Sequence, residues 1–135
     1  MAGYSKRSLV EKLGIKGGAS VIFLNTPDGY DKLLGKLPSD VFSASSLDST
    51  LDFIQFFTRA REELEKNFPA LKQALAPNGQ LWISWPKGAS KIPTDLNENV
   101  VRDIGLQNGL VDVKVIAVDE VWSGLKFVYR VKDRQ

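Results

Sequence analysis

Residues Leu51 to Lys87 read as a strand, a helix and a second strand, and that succession restricts the fold more than any other feature of the chain. Leu51-Asp52-Phe53-Ile54-Gln55-Phe56-Phe57-Thr58 is too apolar for a surface ribbon, Arg59 to Ala76 repeats apolar residues at helical spacing, and Leu81-Trp82-Ile83-Ser84-Trp85 is apolar again. Parallel strands joined through a helix need a right-handed crossover, because a right-twisted strand feeding a helix packs back onto its sheet only that way. Ala60, Leu64, Phe68, Leu71 and Leu75 share one helix face, which covers the sheet. Pro69 lies within this helix, where a proline removes a hydrogen bond and clashes one turn back at a cost of about 3 kcal/mol. A kink, or a restart with Pro69 in a first turn, is therefore expected. Ala76-Pro77-Asn78-Gly79 suits a turn, which starts the next strand at Gln80.

On the N-terminal side, Ser8-Leu9-Val10-Glu11 fits a capping box and Gly14 a left-handed stop, giving a short entry helix. Ala19 to Asn25 reads as a strand buried on both faces, Thr26 to Gly29 as a loop, and Tyr30 to Lys36 as one or two helical turns ended by Pro38. Asp40 to Ser45 is a weak strand. Ser43 to Thr50 is linker-like but too short to divide domains. On the C-terminal side, Pro86 to Pro93 is a loop, and Asp95-Leu96-Asn97-Glu98 caps a helix that ends at Asn108-Gly109. Val111 to Val118 and Leu125 to Val131 alternate as strands. Only Asp119 to Gly124 joins them, too short for a crossover, so they pair antiparallel.

Composition excludes more than it selects. Cys and His are both absent, which closes disulfide, thiolate, zinc-thiolate and imidazole-triad chemistry, and no metal site is expected. The net charge of +2 argues against a dedicated nucleic-acid binder. Lys126, Arg130, Lys132 and Arg134 form an alternating basic stripe, with Lys6 and Arg7 elsewhere, which reads more simply as a solvated strand face and tail than as an RNA contact. No apolar run approaches the roughly 20 residues of a bilayer span, and Met1 to Gly18 lacks a secretory signal's apolar core, so a cytoplasmic protein without membrane contact is expected.

In open α/β sheets, ligands bind outside the carboxyl ends of the strands. That edge gathers Asn25, Asp28 and Gly29, then Thr58 and Arg59, then Ser84, Trp85 and Lys87, and finally Asp119, Glu120 and Trp122. Carboxylates, cations, hydroxyls and amphipathic rings are the mixture expected of a small polar or heterocyclic ligand site. Each has a plainer explanation: solvated acids in a hairpin loop for Asp119 and Glu120, core packing for the two Trp rings, an exposed cation for Lys87, and helix caps for Thr94 and Asp95. No residue is assigned a catalytic role.

Leu71-Lys72-Gln73-Ala74-Leu75-Ala76-Pro77-Asn78-Gly79-Gln80-Leu81-Trp82-Ile83, entering the middle of a helix-flanked sheet, resembles the helix-to-strand turn of class I methyltransferases. Trp85-Pro86-Lys87, Thr94-Asp95-Leu96, Gly109 to Lys114 and Val118 to Phe127 resemble a family of small bacterial proteins to which no activity is assigned, over nearly the whole chain. The resemblance implies one Rossmann-like, methyltransferase-like domain over residues 1–135: a three-layer α/β sandwich whose mostly parallel sheet has about six strands, order 2-1-3-4-6-5, and a C-terminal antiparallel hairpin.

The methyltransferases hold S-adenosylmethionine with a Gly-rich loop after the first strand and an acid ending the second. Here the loop Asn25-Thr26-Pro27-Asp28-Gly29 has one Gly, and the second strand runs into Ser43-Ala44-Ser45-Ser46 without an acid. The sequence therefore favours a binding module for a small polar or nucleotide-like ligand or partner over a catalyst. The first alternative is a methyltransferase with an atypical cofactor loop, with Asn25, Asp28 and Gly29 at the cofactor and Ser84 to Lys87 near the acceptor. The second is an interaction subunit docking through Val111 to Val118 or through exposed Trp residues.

Overall fold

The structure, a computed structural model, describes residues 7–48 and 50–134, so Lys6 of the basic set and Ser49 of the linker-like stretch lie outside the described residues. The capping box forms at α1 (Leu9–Leu13): Ser8 Oγ accepts the Glu11 N–H at 3.2 Å and the Glu11 carboxylate accepts the Ser8 N–H at 3.1 Å. Gly14 closes the helix in the left-handed region. Then come β1 (Ser20–Leu24), α2 (Tyr30–Leu34), β2 (Phe42–Ser43), β3 (Leu51–Phe57), α3 (Arg61–Ala74), β4 (Leu75–Pro86), α4 (Glu98–Gln107), β5 (Leu110–Ala117) and β6 (Trp122–Tyr129). They build a six-stranded sheet in the order β2-β1-β3-β4-β6-β5, as expected. β1 to β4 are parallel where they pair, and β6 lies antiparallel to both β4 and β5.

The two-residue alternation of the inner strands sends side chains to two separate cores. Ile54, Phe56, Leu81 and Ile83 meet Leu64 and Phe68 of α3 and Val101 and Ile104 of α4. Phe53, Phe57 and Trp82 meet Leu13 of α1 and Tyr30 of α2 on the opposite face. Trp82 is fully buried, and its indole N–H reaches the Leu13 carbonyl at 3.1 Å and Gln80 Oε1 at 3.0 Å, fastening α1 to the sheet. Gly105 of α4 lies against Phe127 of β6, where an added Cβ would stand 2.0 Å from the ring. Any larger residue would hold α4 off the sheet. That ring packs edge-on to Phe68 with centroids 5.7 Å apart.

Four local expectations are corrected. α3 is one helix through Pro69, with no restart there; Pro69 and Glu65, whose carbonyl loses its donor, are both exposed, so the freed group is open to solvent. β4 starts at Leu75, not Gln80: Leu75 already pairs with Leu51, and Ala76 to Gly79 is an irregularity inside the strand. β6 begins at Trp122 and ends at Tyr129, so the basic alternation stops there, with Lys132 in a separate 3-10 turn (Val131–Asp133) and Arg134 following it. Asn97, not Asp95, caps α4, its side chain accepting the Val100 N–H at 2.9 Å.

Candidate functional site

Backbone and side-chain bonds lace the strand-end loops together in sheet order. Asn25 Nδ2 donates to the Phe57 carbonyl at 3.2 Å, the Thr58 N–H to the Ser84 carbonyl at 3.0 Å, and the Lys87 N–H to the Val121 carbonyl at 2.7 Å. The loops after β1, β3 and β4 and the β5–β6 hairpin loop thus form one continuous edge. Asp119 builds the last of them: its Oδ1 accepts the N–H groups of Val121 and Trp122 at 2.8 and 2.7 Å. Glu120 beside it is exposed.

The first loop is shaped by two left-handed residues, Asn25 at φ 57° and Gly29 at φ 79°. Asn tolerates this region better than most residues, and Gly enters it without steric cost. Asp28 is exposed, and the N–H groups of Thr26, Asp28 and Gly29 donate to no acceptor among the described residues. An added Cβ at Gly29 would meet nothing within 4 Å, so the loop stands open above the sheet. Past β2, Ser46 Oγ donates to Asp48 Oδ2 at 2.9 Å, placing an acid a few residues beyond the strand end.

Other candidate groups are occupied. Thr58 is buried, and its hydroxyl accepts the Ala60 N–H at 3.3 Å and donates to the Glu63 carboxylate, an arrangement that organises the start of α3. Arg59 is exposed, and its carbonyl accepts the Thr94 hydroxyl at 2.7 Å. Ser84 is fully buried inside the sheet. The two Trp rings share no surface: Trp85 belongs to the core under α3 and α4, whereas Trp122 is half-buried on the other face, edge-on to Phe57 at 5.2 Å. Their register explains the split, since Ser123, not Trp122, stands opposite Trp85. The two rings therefore lie on opposite faces of the sheet.

The structure adds a buried polar chain that the sequence reading passed over. The Tyr30 hydroxyl donates to Gln55 Oε1 at 2.5 Å, and Gln55 Nε2 donates to Ser84 Oγ at 3.1 Å. Burial raises the Tyr30 phenol well above its ordinary range, against the lowering effect of the Gln55 bond, and the Asp119 charge raises it further. The signal was visible: Gln55 is the one amide of β3 and lies at a buried position between apolar neighbours. Among the described residues, no group of three or more acidic, His or Cys side chains could hold a metal ion, and no helix is long and apolar enough to cross a membrane.

No family model and no curated protein matches the chain. Solved structures do. An S-adenosylmethionine-dependent methyltransferase from Aquifex aeolicus superimposes with a TM-score of 0.63 at 19% identity, over 88% of this chain and 86% of that one. The chain has the class I methyltransferase fold. A TehB-like methyltransferase from Corynebacterium glutamicum shares that fold at TM-score 0.59 and 11% identity, over 96% of this chain and 91% of that one. A third bearer of the methyltransferase fold, the magnesium protoporphyrin IX methyltransferase of Synechocystis with bound S-adenosylmethionine, is similar at TM-score 0.58 and 12% identity, over 90% of this chain and 74% of that one. In this chain the elements that follow the first loop are short, α2 five residues and β2 two.

Proposed function

We propose that the chain is an S-adenosylmethionine-dependent methyltransferase whose cofactor lies against the loop after β1. The observation that carries this reading is the open loop itself: Asn25 and Gly29 bend it through left-handed conformations, and three N–H groups there have no acceptor among the described residues. Free amides of this kind suit a carboxylate, and Asp28 beside them suits an ammonium or a pair of ribose hydroxyls. The bound cofactor would supply an electrophilic methyl group on a sulfonium. The chain's own contribution is positional: the laced loops hold the edge rigid, and Lys87 and Trp122 flank the side where an acceptor would enter. The similarity to methyltransferase structures supports the reading through the fold alone.

A second reading, a binding module that transfers nothing, is favoured by one specific observation. Ser84, placed near the acceptor, and Thr58 beside it on the same edge are both engaged, with Gln55 and Glu63 respectively. A neutral hydroxyl is too weak a base to take an acceptor's proton, and these two are already committed to protein partners.

Titration calorimetry with S-adenosylmethionine and S-adenosylhomocysteine, on the wild type and Asp28→Ala, tests both. Saturable binding weakened by the substitution, followed by methyl transfer to some member of an acceptor panel, is the expected result. Binding without turnover across the panel selects the second reading. No heat at millimolar ligand rules out both for this nucleoside.

A further inference from the structure

At the opposite, N-terminal edge of the sheet, a cavity of about 460 Å³ opens between the turn Gly14–Gly18 and the irregular start of β4 at Asn78–Gln80. Its volume falls within the range of small-molecule sites, about 300–1,000 Å³. Lys16 and Lys126 supply its positive charge, and Asp52 is the single acid in its lining. That carboxylate already accepts the Ser20 N–H at 2.9 Å.

Lys126 has a further cation beside it. Lys114 stands directly opposite it across the β5–β6 ladder, a like-charge pairing that destabilises a sheet. Among the described residues Lys114 Nζ reaches only the Lys12 carbonyl, at 3.4 Å. Among the described residues no Asp or Glu forms an ion pair with Lys16, Lys114 or Lys126. Burial first, then the charges of Lys114 and Lys16, hold Lys126 below the usual lysine range. The N–H groups of Lys16 and Gly17 donate to no acceptor among the described residues. Concentrated, unneutralised cations beside free backbone donors in a concave site are the chemistry of anion capture. Ile15, Phe53 and Val128 give the same cavity an apolar wall.

We propose that this cavity binds a small organic phosphate, the phosphate against Lys126, Lys16 and the free N–H groups, the organic body against Ile15, Phe53 and Val128. A phosphate presents three acceptor oxygens, which matches donors arriving from a strand and from a turn better than a single carboxylate does. The site is separate from the strand-end edge and does not depend on what binds there.

The test is calorimetric titration with phenyl phosphate and with inorganic phosphate, on the wild type, Lys126→Gln, Lys126→Arg, Lys16→Gln and Lys66→Gln, the last an exposed cation of α3. Phenyl phosphate should bind one per chain and more tightly than inorganic phosphate. Lys126→Gln and Lys16→Gln should each weaken it about tenfold, the loss of one charge-assisted hydrogen bond. Lys126→Arg should keep most of the affinity, and Lys66→Gln all of it. Thermal melting in parallel shows that the variants fold. Absence of saturable binding at millimolar phenyl phosphate overturns the proposal, as does equal weakening by Lys66→Gln, which would mean diffuse charge. So does single-stranded RNA that binds more tightly and loses affinity with Lys126→Gln, which would make the cavity part of a nucleic-acid contact.

Discussion

Asp95 caps a helix it does not precede: its Oδ1 accepts the N–H of Arg61, the first residue of α3, at 2.7 Å. The residue at the N-cap position, Ala60, offers no side-chain acceptor. Asp95→Ala should therefore destabilise the protein by about 1 kcal/mol, the usual loss for a removed cap. Asp95→Asn, which keeps an acceptor oxygen, should recover most of it. Urea denaturation of both variants checks this, and equal losses would mean that the charge near the helix start matters more than the hydrogen bond.

The Tyr30–Gln55–Ser84 chain makes a second prediction. Tyr30→Phe leaves Gln55 Oε1 buried without its donor and should cost about 1–3 kcal/mol. The buried phenol also gives a spectroscopic readout. Because burial raises this phenol, its neutral form is favoured on folding, so the stabilising contribution is complete below the ordinary phenol range. It is lost as pH climbs from the unfolded value through the folded one. Ultraviolet titration of the native protein should show one tyrosine that stays un-ionised until the protein unfolds in alkali.

How much of this could be read beforehand depends on how far apart the partners lie in the chain. The β3–α3–β4 unit, the capping box at Ser8 and the antiparallel hairpin follow from short-range patterns, and all appear. Asp95 was legible as a cap but not as the cap of Arg61, because that pairing exists only once α4's approach loop lies across the start of α3. The strand-end loops were assignable to one edge from topology. Which of their side chains are free was not: Thr58 is taken by Glu63, Ser84 by Gln55, and the two Trp residues separate because strand register assigns them opposite faces. The cavity between Lys16 and Lys126 was invisible because its two sides are more than a hundred residues apart in sequence.

Gly105→Ala should be among the most damaging small substitutions in the chain. The new methyl would overlap the Phe127 ring, and overpacking of this kind costs about 1–3 kcal/mol. Combining it with Phe127→Leu should restore part of the loss. A double-mutant cycle that shows simple additivity would mean that α4 moves aside instead.

Lys126 predicts the opposite sign. Its folded-state ammonium is held low by burial and by Lys114 and Lys16, so its charge is a penalty on folding. That penalty is complete below the folded value and disappears as pH rises past the ordinary lysine range. With solvent screening allowed for, Lys126→Gln should stabilise the protein by about 0.5 kcal/mol at neutral pH and by nothing in strong alkali. Thermal melts across pH measure it. A residue that weakens the fold and strengthens an anion site is the pattern of function maintained against stability.

The strand order also sets a schedule for the growing polypeptide. β4 pairs with β3 soon after both leave the ribosome, but its other neighbour, β6, follows every other strand of this sheet in the chain. Until Tyr129 emerges, the hydrogen-bonding margin beside Leu81-Trp82-Ile83 is bare, and a bare apolar margin recruits strands from other chains. The nascent sheet is thus at its most aggregation-prone just before β6 emerges, and a stop codon within the hairpin should yield insoluble material where one beyond Tyr129 does not.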